Sequence, residues 1–200
     1  YGTYPYVTSS NTAAGNASCG SGIGASAINK VVGICKAYTT RVGEGPFPTE
    51  LQDEIGEHMQ KVGQEFGATT GRKRRCGWLD IVLVRQAIRI SGVTDLAITK
   101  LDVLTGLDKI KICVGYKTPA GDYAHTVPAD IRVLSGCKPV YEEFPGWKED
   151  ISRARKMDEL PPHARKYLNR LEELAQARIS LVSLGSGREE TISLKDPFRD

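Results

Sequence analysis

The sequence is poor in the residues that build metal and disulfide sites. It has only three histidines and five cysteines among its 200 residues. This pattern fits neither a disulfide framework nor a zinc site, because the cysteines are odd in number, widely spaced and without a C-x-x-C pair. We therefore expect reduced thiols, as in the cytosol, and no metal or catalytic role for the isolated histidines. The cysteines are Cys19, Cys35, Cys76, Cys113 and Cys137.

Long apolar runs and a strong net charge are also missing. No stretch of about 18 apolar residues occurs, which argues against a transmembrane helix. Residues 1–6 offer neither a basic nor an apolar segment, which argues against a signal peptide. The first residue is not methionine, so we expect that the chain was cut from a longer one. Because the formal net charge is only +3, the basic residues matter by their positions and not by their total.

Two nucleotide-binding signatures are absent or incomplete. The P-loop sequence G-x-x-x-x-G-K-[ST] does not occur. Residues 20–25 match G-x-G-x-x-A before a predicted helix, but a polar loop precedes them where a dinucleotide fingerprint needs a strand. We therefore reject the fingerprint and retain only a contact between this loop and a phosphate or nucleotide as a hypothesis.

The hydrophobic pattern predicts strands that alternate with helices. We predict helices over residues 25–34, 49–62, 80–90 and 162–175, with Thr49 and Asp80 as N-caps. Strands are predicted over residues 3–8, 35–42, 96–99, 110–116, 123–127, 139–144, 179–184 and 190–194, with a long loop over residues 9–24. The alternation indicates an α/β fold with a largely parallel sheet flanked by helices, which the hairpin-like middle makes mixed.

Residues 99–102 (TKLD), at the end of a predicted buried strand, form a candidate guanine-recognition element. The two oxygens of Asp102 match the adjacent N1–H and N2–H donors of guanine, whereas adenine would leave the carboxylate unpaired. In an extended segment Lys100 lies on the same side, so its stem can follow the base while its ammonium stays hydrated. The strand-end position is typical of ligand sites in α/β sheets. The alternative is a Lys–Asp surface pair.

Residues 67–75 (GATTGRKRR) form a candidate anion-binding loop. Glycines let the backbone turn and present N–H groups, and Thr69 and Thr70 add hydroxyls. In an extended segment Arg72 and Arg74 project to one face, where two guanidinium groups suit a dicarboxylate or a phosphate. A solvated charge run and a nucleic-acid or localisation patch remain equal alternatives, although no aromatic stacking platform accompanies the run.

Taken with their surroundings, five segments resemble, in the same order, the adenylosuccinate synthetase family. They are residues 2–11 (GTYPYVTSSN), 41–50 (RVGEGPFPTE), 65–72 (EFGATTGR), 77–80 (GWLD) and 99–104 (TKLDVL). The resemblance covers essentially the whole chain and ends with residues 196–198 (DPF). Five motifs in one order are far more specific than any one of them.

The resemblance implies a GTP-binding, P-loop-like synthetase architecture, here truncated. It implies GTP-dependent ligation of IMP and L-aspartate to adenylosuccinate in purine (AMP) biosynthesis, with Mg²⁺ as cofactor. GTP would phosphorylate the IMP 6-oxygen and aspartate would displace the phosphate, while arginines and magnesium neutralise the developing charge. The resemblance further implies a cytoplasmic homodimer without nucleic-acid or membrane partners.

The resemblance also assigns site residues. The IMP-binding residues are Thr8, Val42 and Arg72. The aspartate loop comprises Ala68, Thr69, Thr70, Gly71, Arg72, Lys73 and Arg74. The GTP-binding residues are Arg74, Lys100, Leu101, Asp102, Ser183, Leu184 and Gly185, the last three closing over the base with backbone donors.

The main departure from the family is the absence of its N-terminal half. That half carries the glycine-rich phosphate loop, the catalytic aspartate, the general-acid histidine and the magnesium site. We therefore predict that residues 1–200 are the C-terminal part of a single synthetase domain, with no catalytic residue or metal ligand, inactive alone. The alternatives are a stand-alone guanine-nucleotide-binding module without catalytic activity and, more weakly, a basic-loop RNA binder.

Overall fold

The computed structural model describes residues 2–68 and 71–197. The strands, in chain order, are β1 (Val32–Lys36), β2 (Thr39–Arg41), β3 (Arg75–Gly77), β4 (Leu79–Asp80), β5 (Asp95–Thr99), β6 (Lys109–Lys117), β7 (Tyr123–Ala124), β8 (Lys138–Pro145), β9 (Arg178–Ser183) and β10 (Thr191–Ser193). The α-helices are α1 (Gly15–Ser21), α2 (Glu54–Val62), α3 (Ile81–Ser91), α4 (Ile131–Ser135) and α5 (Pro162–Ala175). Short 3₁₀ turns cover Ala25–Ala27, Leu101–Leu104, Met157–Glu159 and Arg188–Glu190.

A parallel sheet organises the part of the fold that matters for the site. Strands β1, β5 and β9 run parallel in that order, and β10 closes the sheet by pairing antiparallel with β9. The predicted α/β fold, with a largely parallel sheet flanked by helices, is thus confirmed. The antiparallel hairpin of β6 and β7 lies in a separate sheet with β4 and β8, and not in the parallel sheet as predicted.

Helices α3 and α5 follow the predicted pattern. The Asp80 side chain accepts hydrogen bonds from the amides of Val82 and Leu83 at 3.1 and 3.3 Å, and Gly92 ends α3 in the left-handed conformation. Helix α5 begins with Pro162 at a position where a missing N–H costs nothing. Its buried stripe fills the main core with Ala164, Tyr167, Leu168, Leu171, Leu174 and Ala175.

Several local predictions are wrong. Residues 9–24 contain helix α1 where a loop is predicted. In three further segments tertiary contacts decide the conformation. Residues 25–34 are not one helix, since Val32–Lys36 pairs in parallel with β5. Residues 3–8 form turns and no strand. Thr49 is buried and its carbonyl accepts from the Trp78 amide, so Asp53 caps α2 instead, accepting from the amides of Ile55 and Gly56. Within the described ranges, no helix is long and apolar enough to cross a membrane.

Candidate functional site

The carboxyl ends of the parallel strands bring the predicted guanine-site segments together. Strand β1 ends at Lys36, which pairs with Thr99 at the end of β5, and Ile98 pairs with Val182 near the end of β9. The Ala37 amide donates to the Thr99 carbonyl over 2.8 Å, which holds the first two strand ends together. This edge is where open α/β sheets bind ligands, and residues 100–102 and 183–185 both follow it.

Asp102 has the chemistry expected of a reader of guanine. It is half-buried, and its Oδ1 atom is buried without a hydrogen-bond partner among residues 2–68 and 71–197. Burial raises the pKa of Asp102, and the nearby Glu190 carboxylate raises it further, whereas Lys100 lowers it. A buried carboxylate oxygen without a partner is costly, so a ligand that offers N–H donors gains more here than at a satisfied group.

Lys100 does not have the extended conformation in which it would lie on the same side as Asp102. It has φ = 63°, in the left-handed region, and residues 101–104 continue as a 3₁₀ turn. Its Nζ atom donates to the Gly63 carbonyl over 2.7 Å, so the ammonium is bound to protein and not only hydrated. Leu101 is fully buried in the core, so only its backbone is available to a nucleotide.

Residues 183–185 form a tight loop that Glu190 holds. The Leu184 amide donates to the Glu190 carbonyl over 2.8 Å, and the Leu184 side chain is buried. The Gly187 amide donates to the Glu190 carboxylate. The Ser183 hydroxyl donates to the Gly185 carbonyl over 2.9 Å. Because its amide is already engaged, Leu184 is not a free backbone donor as we expected, and it supports the loop instead.

Backbone hydrogen bonds between residues 65–67 and 71–74 close the base of the basic loop, which we call its neck. The Gly67 amide donates to the Arg72 carbonyl and the Gly71 amide to the Gly67 carbonyl, each over 2.8 Å. Phe66 and Lys73 form an antiparallel bridge, and the Arg74 amide donates to the Glu65 carbonyl over 2.9 Å. Thr69 and Thr70, both predicted aspartate-loop residues, lie outside the described residues.

A buried acid, Glu65, lies directly below this neck. Its side chain has no exposed surface, and its carboxylate accepts from Lys36 at 2.7 and 2.8 Å, from Tyr38 at 2.6 Å and from Arg74 at 2.8 Å. Burial alone would raise the pKa of Glu65, but the hydrogen bonds from Lys36, Tyr38 and Arg74 outweigh burial and lower it. The same burial and the Glu65 hydrogen bond raise the pKa of Tyr38 far above its usual range.

The arginines of the loop have different partners. Arg75 forms a bidentate pair with Glu50 and also donates to the carbonyls of Gly43 and Gly45. The Arg74 guanidinium is directed to Glu65. Arg72 and Lys73, whose backbones form part of the neck, have exposed side chains. The Arg74 guanidinium is therefore engaged by an acid of the protein, whereas the predicted pair of arginines on one face would leave it available to a ligand.

The predicted IMP residues Thr8 and Val42 lie near one arginine. Arg41 donates to the Thr3 hydroxyl over 2.8 Å and to the Tyr6 carbonyl over 3.2 Å, which ties the N-terminal segment to β2. Val42 directly follows β2 and is 62 % exposed, whereas Thr8 is exposed and accepts from the Ser10 amide. The tie brings the two segments together, and both side chains face solvent.

Two further points concern possible metal ligands and two glutamates that the sequence analysis does not identify. In the part of the chain that the structure describes, no three histidine, cysteine, aspartate or glutamate side chains are grouped so as to hold a metal ion. The roles of Glu65 and Glu190 were missed by sequence reasoning. A lone glutamate before a glycine-rich loop carries no spacing signal, and the partners of Glu65 lie 29, 27 and 9 positions away.

Comparison with known proteins gives one consistent result. The family model described as adenylosuccinate synthetase matches residues 1–192. Adenylosuccinate synthetases from Syntrophus aciditrophicus and Desulfatibacillum aliphaticivorans are 67 % and 60 % identical, each over 99 % of this chain and 46 % of the relative. The chain therefore spans about half the length of the curated relatives it matches.

Solved structures agree. A fully ligated adenylosuccinate synthetase from Plasmodium falciparum superimposes with a TM-score of 0.94 at 43 % identity, over 98 % of this chain and 47 % of that one. A succinoaminodeoxyadenylate synthetase from cyanophage S-2L matches with a TM-score of 0.54 at 14 % identity, over 98 % of this chain and 43 % of that one, and at that identity shows the fold alone.

Proposed function

Because the chain belongs to the adenylosuccinate synthetase family, we propose that it carries the guanine-binding and aspartate-binding parts of a GTP-dependent ligase. The observation that supports this most directly is the buried Oδ1 of Asp102, which has no hydrogen-bond partner among the described residues, at the carboxyl edge of the parallel sheet. The overall reaction is the ligation of IMP and L-aspartate to adenylosuccinate, in which GTP supplies the phosphoryl group that activates the IMP 6-oxygen.

The proposed role of this chain is to bind and orient the reactants. Asp102 accepts the two N–H donors on the guanine edge, and Lys100 fixes the turn that presents Asp102 through its bond to Gly63. Ser183 and Gly185 approach the base from the neighbouring strand end, on a loop that Glu190 holds. Leu101 and Leu184 support these segments from the core.

The other substrates would meet the exposed end of the basic loop and the N-terminal segment. Residues 68–74 would hold the aspartate carboxylates, with the exposed side chain of Arg72 among them. Arg74, whose guanidinium is bonded to Glu65, would offer its remaining N–H donors to the nucleotide. Arg72 would also contact IMP, together with Thr8 and Val42. Exposed side chains on a loop whose backbone is fixed at its neck are suited to a substrate that enters from solvent.

We further propose that the chain is the C-terminal part of one synthetase domain and is inactive alone. Within the described residues β1 is an edge strand, and its Ile34 is 80 % exposed. Parallel sheets are normally covered on both faces and extended at their edges, so further polypeptide is expected here. No group of three or more histidine, cysteine, aspartate or glutamate side chains among the described residues could hold a metal ion, and we propose that the magnesium ligands lie in that further polypeptide. Cytoplasmic location and a homodimer remain proposals for the complete protein.

The direct test is calorimetry of this chain with GDP and ADP, with circular dichroism to establish that it is folded. We expect GDP to bind and ADP not to bind, because the Asp102 carboxylate would face an acceptor on adenine. Equal binding of both nucleotides would contradict Asp102 as the base reader. If GDP binds but ligation is not restored by adding the other half of a family member, the chain is a guanine-binding module without catalysis.

A further inference from the structure

Residues 63–65 connect the two halves of the proposed site. Lys100, which precedes the guanine reader, donates to the Gly63 carbonyl. A Cβ atom at Gly63 would collide with the Tyr38 hydroxyl, so the chain packs closely against that tyrosine. Two positions later, Glu65 accepts from Tyr38 and from Arg74 at the end of the basic loop. A continuous chain of contacts thus joins the turn at Lys100 to Arg74.

Arg74 is held at three points. Its amide donates to the Glu65 carbonyl over 2.9 Å, its carbonyl accepts from the Gln60 side chain over 2.9 Å, and its guanidinium donates to the Glu65 carboxylate over 2.8 Å. Two of the three bonds are made by Glu65. A guanidinium has five N–H donors, so the bond to Glu65 restricts its position and leaves other donors available for a second anion.

Lys36 gives Glu65 a second anchor outside the loop. Its Nζ donates to both carboxylate oxygens and to the Thr40 hydroxyl over 2.9 Å. Lys36 ends β1, at the same sheet edge as the guanine element. Glu65 therefore connects the parallel sheet to the neck of the basic loop through charge-assisted hydrogen bonds, which are shorter and stronger than neutral ones.

We propose that Glu65 is a positioning residue that fixes the Arg74 guanidinium, and with it the neck of the basic loop, relative to the guanine site. The part of this proposal that concerns nucleotide affinity rests on the proposed function, in which Arg74 meets the nucleotide. The part that concerns the neck rests on the geometry alone. Glu65 touches no reactant, and it acts through Arg74.

The test compares Glu65→Gln with Glu57→Gln. Glu57 is a matched control because it also pairs with a lysine, but on the exposed face of α2. We expect Glu65→Gln to raise hydrogen-exchange rates at least tenfold at the amides of Gly67, Gly71 and Arg74, and Glu57→Gln to leave them unchanged. Exchange at the wild-type rate in a folded Glu65→Gln chain would overturn the proposal.

The second readout is GDP affinity in a double-mutant cycle with Arg74→Ala. We expect Glu65→Gln to weaken GDP binding at least fivefold in the wild-type background and not at all when Arg74 is already alanine. Effects that add independently would show that Glu65 does not act through Arg74, and would overturn the proposal. If the folded wild-type chain binds no GDP, the proposed nucleotide site fails, while the exchange measurement still decides the role of Glu65.

A less disruptive variant, Tyr38→Phe, keeps the proposal testable if Glu65→Gln does not fold. If circular dichroism shows that Glu65→Gln is unfolded, Tyr38→Phe removes only one donor to Glu65 and keeps the charges. We then expect a rise of about threefold in exchange at the same three amides, with α5 unaffected. Wild-type exchange at the neck in this variant would count against Glu65 as the group that fixes it.

Discussion

Glu65 and Asp102 are two carboxylates removed from water at the same end of one sheet, and they differ in how their oxygens are satisfied. Glu65 accepts four hydrogen bonds, two of them from Lys36 and one each from Tyr38 and Arg74. Asp102 has an oxygen without a partner in the described part of the chain. The pKa of Glu65 is lowered and that of Asp102 is raised.

Under the proposed function, the difference distinguishes a group that serves the fold from a group that serves a ligand. A buried acid whose oxygens are all hydrogen-bonded stabilises its surroundings together with its partners. Its removal is destabilising because it leaves the positive charges of those partners without a counter-ion. An unsatisfied buried acid costs stability in the free protein, and that cost is recovered when a ligand donates to it. We therefore expect substitution of Glu65 mainly to lower stability, and substitution of Asp102 mainly to lower nucleotide affinity with little change in stability.

Glu65→Leu should give the largest loss of stability. It leaves Lys36 and Arg74 without their shared counter-ion, and breaking a buried ion pair in this way costs about 3 to 5 kcal/mol of unfolding free energy. The loss should fall toward the lower end, because the Lys36 and Arg74 side chains are 27 % and 31 % exposed and can turn to water. Denaturant unfolding measures it, and a loss below about 1 kcal/mol would mean that the cluster contributes little.

Asp80→Asn tests a third carboxylate, which is buried in mainly apolar surroundings. Burial raises the pKa of Asp80 to about 6 from its ordinary 3.8, although Tyr116 and two helix amides donate to it. The folded state therefore takes up a proton at higher pH than the unfolded state, and this group makes stability fall as pH rises from about 4 to about 6.

Relative to wild type, Asp80→Asn should gain about 2 kcal/mol of unfolding free energy between pH 4 and pH 7. The difference between the two proteins is the quantity to measure, because acids with lowered pKa, such as Glu65 and Glu142, contribute the opposite slope in both. Denaturant titrations at several pH values provide it. A difference that does not change with pH would contradict burial as the dominant influence on Asp80.

Asp102→Asn should affect binding far more than stability. The amide offers one donor and one acceptor, so GDP affinity should fall about 30- to 100-fold, or about 2 to 3 kcal/mol. Xanthosine diphosphate, whose base has an acceptor at the 2-position, should gain affinity. Unfolding free energy should change by less than about 0.5 kcal/mol or rise slightly, since a charge that costs stability is removed. Calorimetry with GDP and with xanthosine diphosphate measures whether the preference changes from the first nucleotide to the second.

The sequence predicts the elements whose hydrophobic pattern and caps agree with the tertiary structure. Helix α3, with Asp80 before it and Gly92 after it, and the buried stripe of α5 are such cases. Strand β1 is different, because residues 25–34 have a helical pattern and only pairing with β5 makes the second half extended. A pairing between segments some 60 positions apart leaves no mark in a local window.

The candidate site likewise contains features that the sequence predicts and features that depend on tertiary contacts. The place of Asp102 at a strand end is predictable, because a short apolar run followed by polar residues marks the edge of a parallel sheet. The conformation of Lys100 is not, since a lysine with positive φ contradicts local preference and is held by its bond to Gly63. The role of the Glu65 carboxylate is not predictable either, because its partners come from two distant segments, Lys36 and Tyr38 from one and Arg74 from the other.

The smallest effect on stability is expected at Ile34, where the same distinction applies to apolar surface. Ile34 is 80 % exposed on edge strand β1, whereas Ile98 on the neighbouring strand is fully buried. Ile34→Lys should therefore change the unfolding free energy of this chain by less than about 0.5 kcal/mol, while Ile98→Val should cost about 1 kcal/mol. If β1 accepts further polypeptide, Ile34→Lys should at the same time prevent reassembly with the other half of a family member, measured as restored ligation. If Ile34→Lys lowers the stability of the isolated chain, the edge of β1 is already covered. If Ile34→Lys leaves reassembly intact, the other half contacts this chain at a different place.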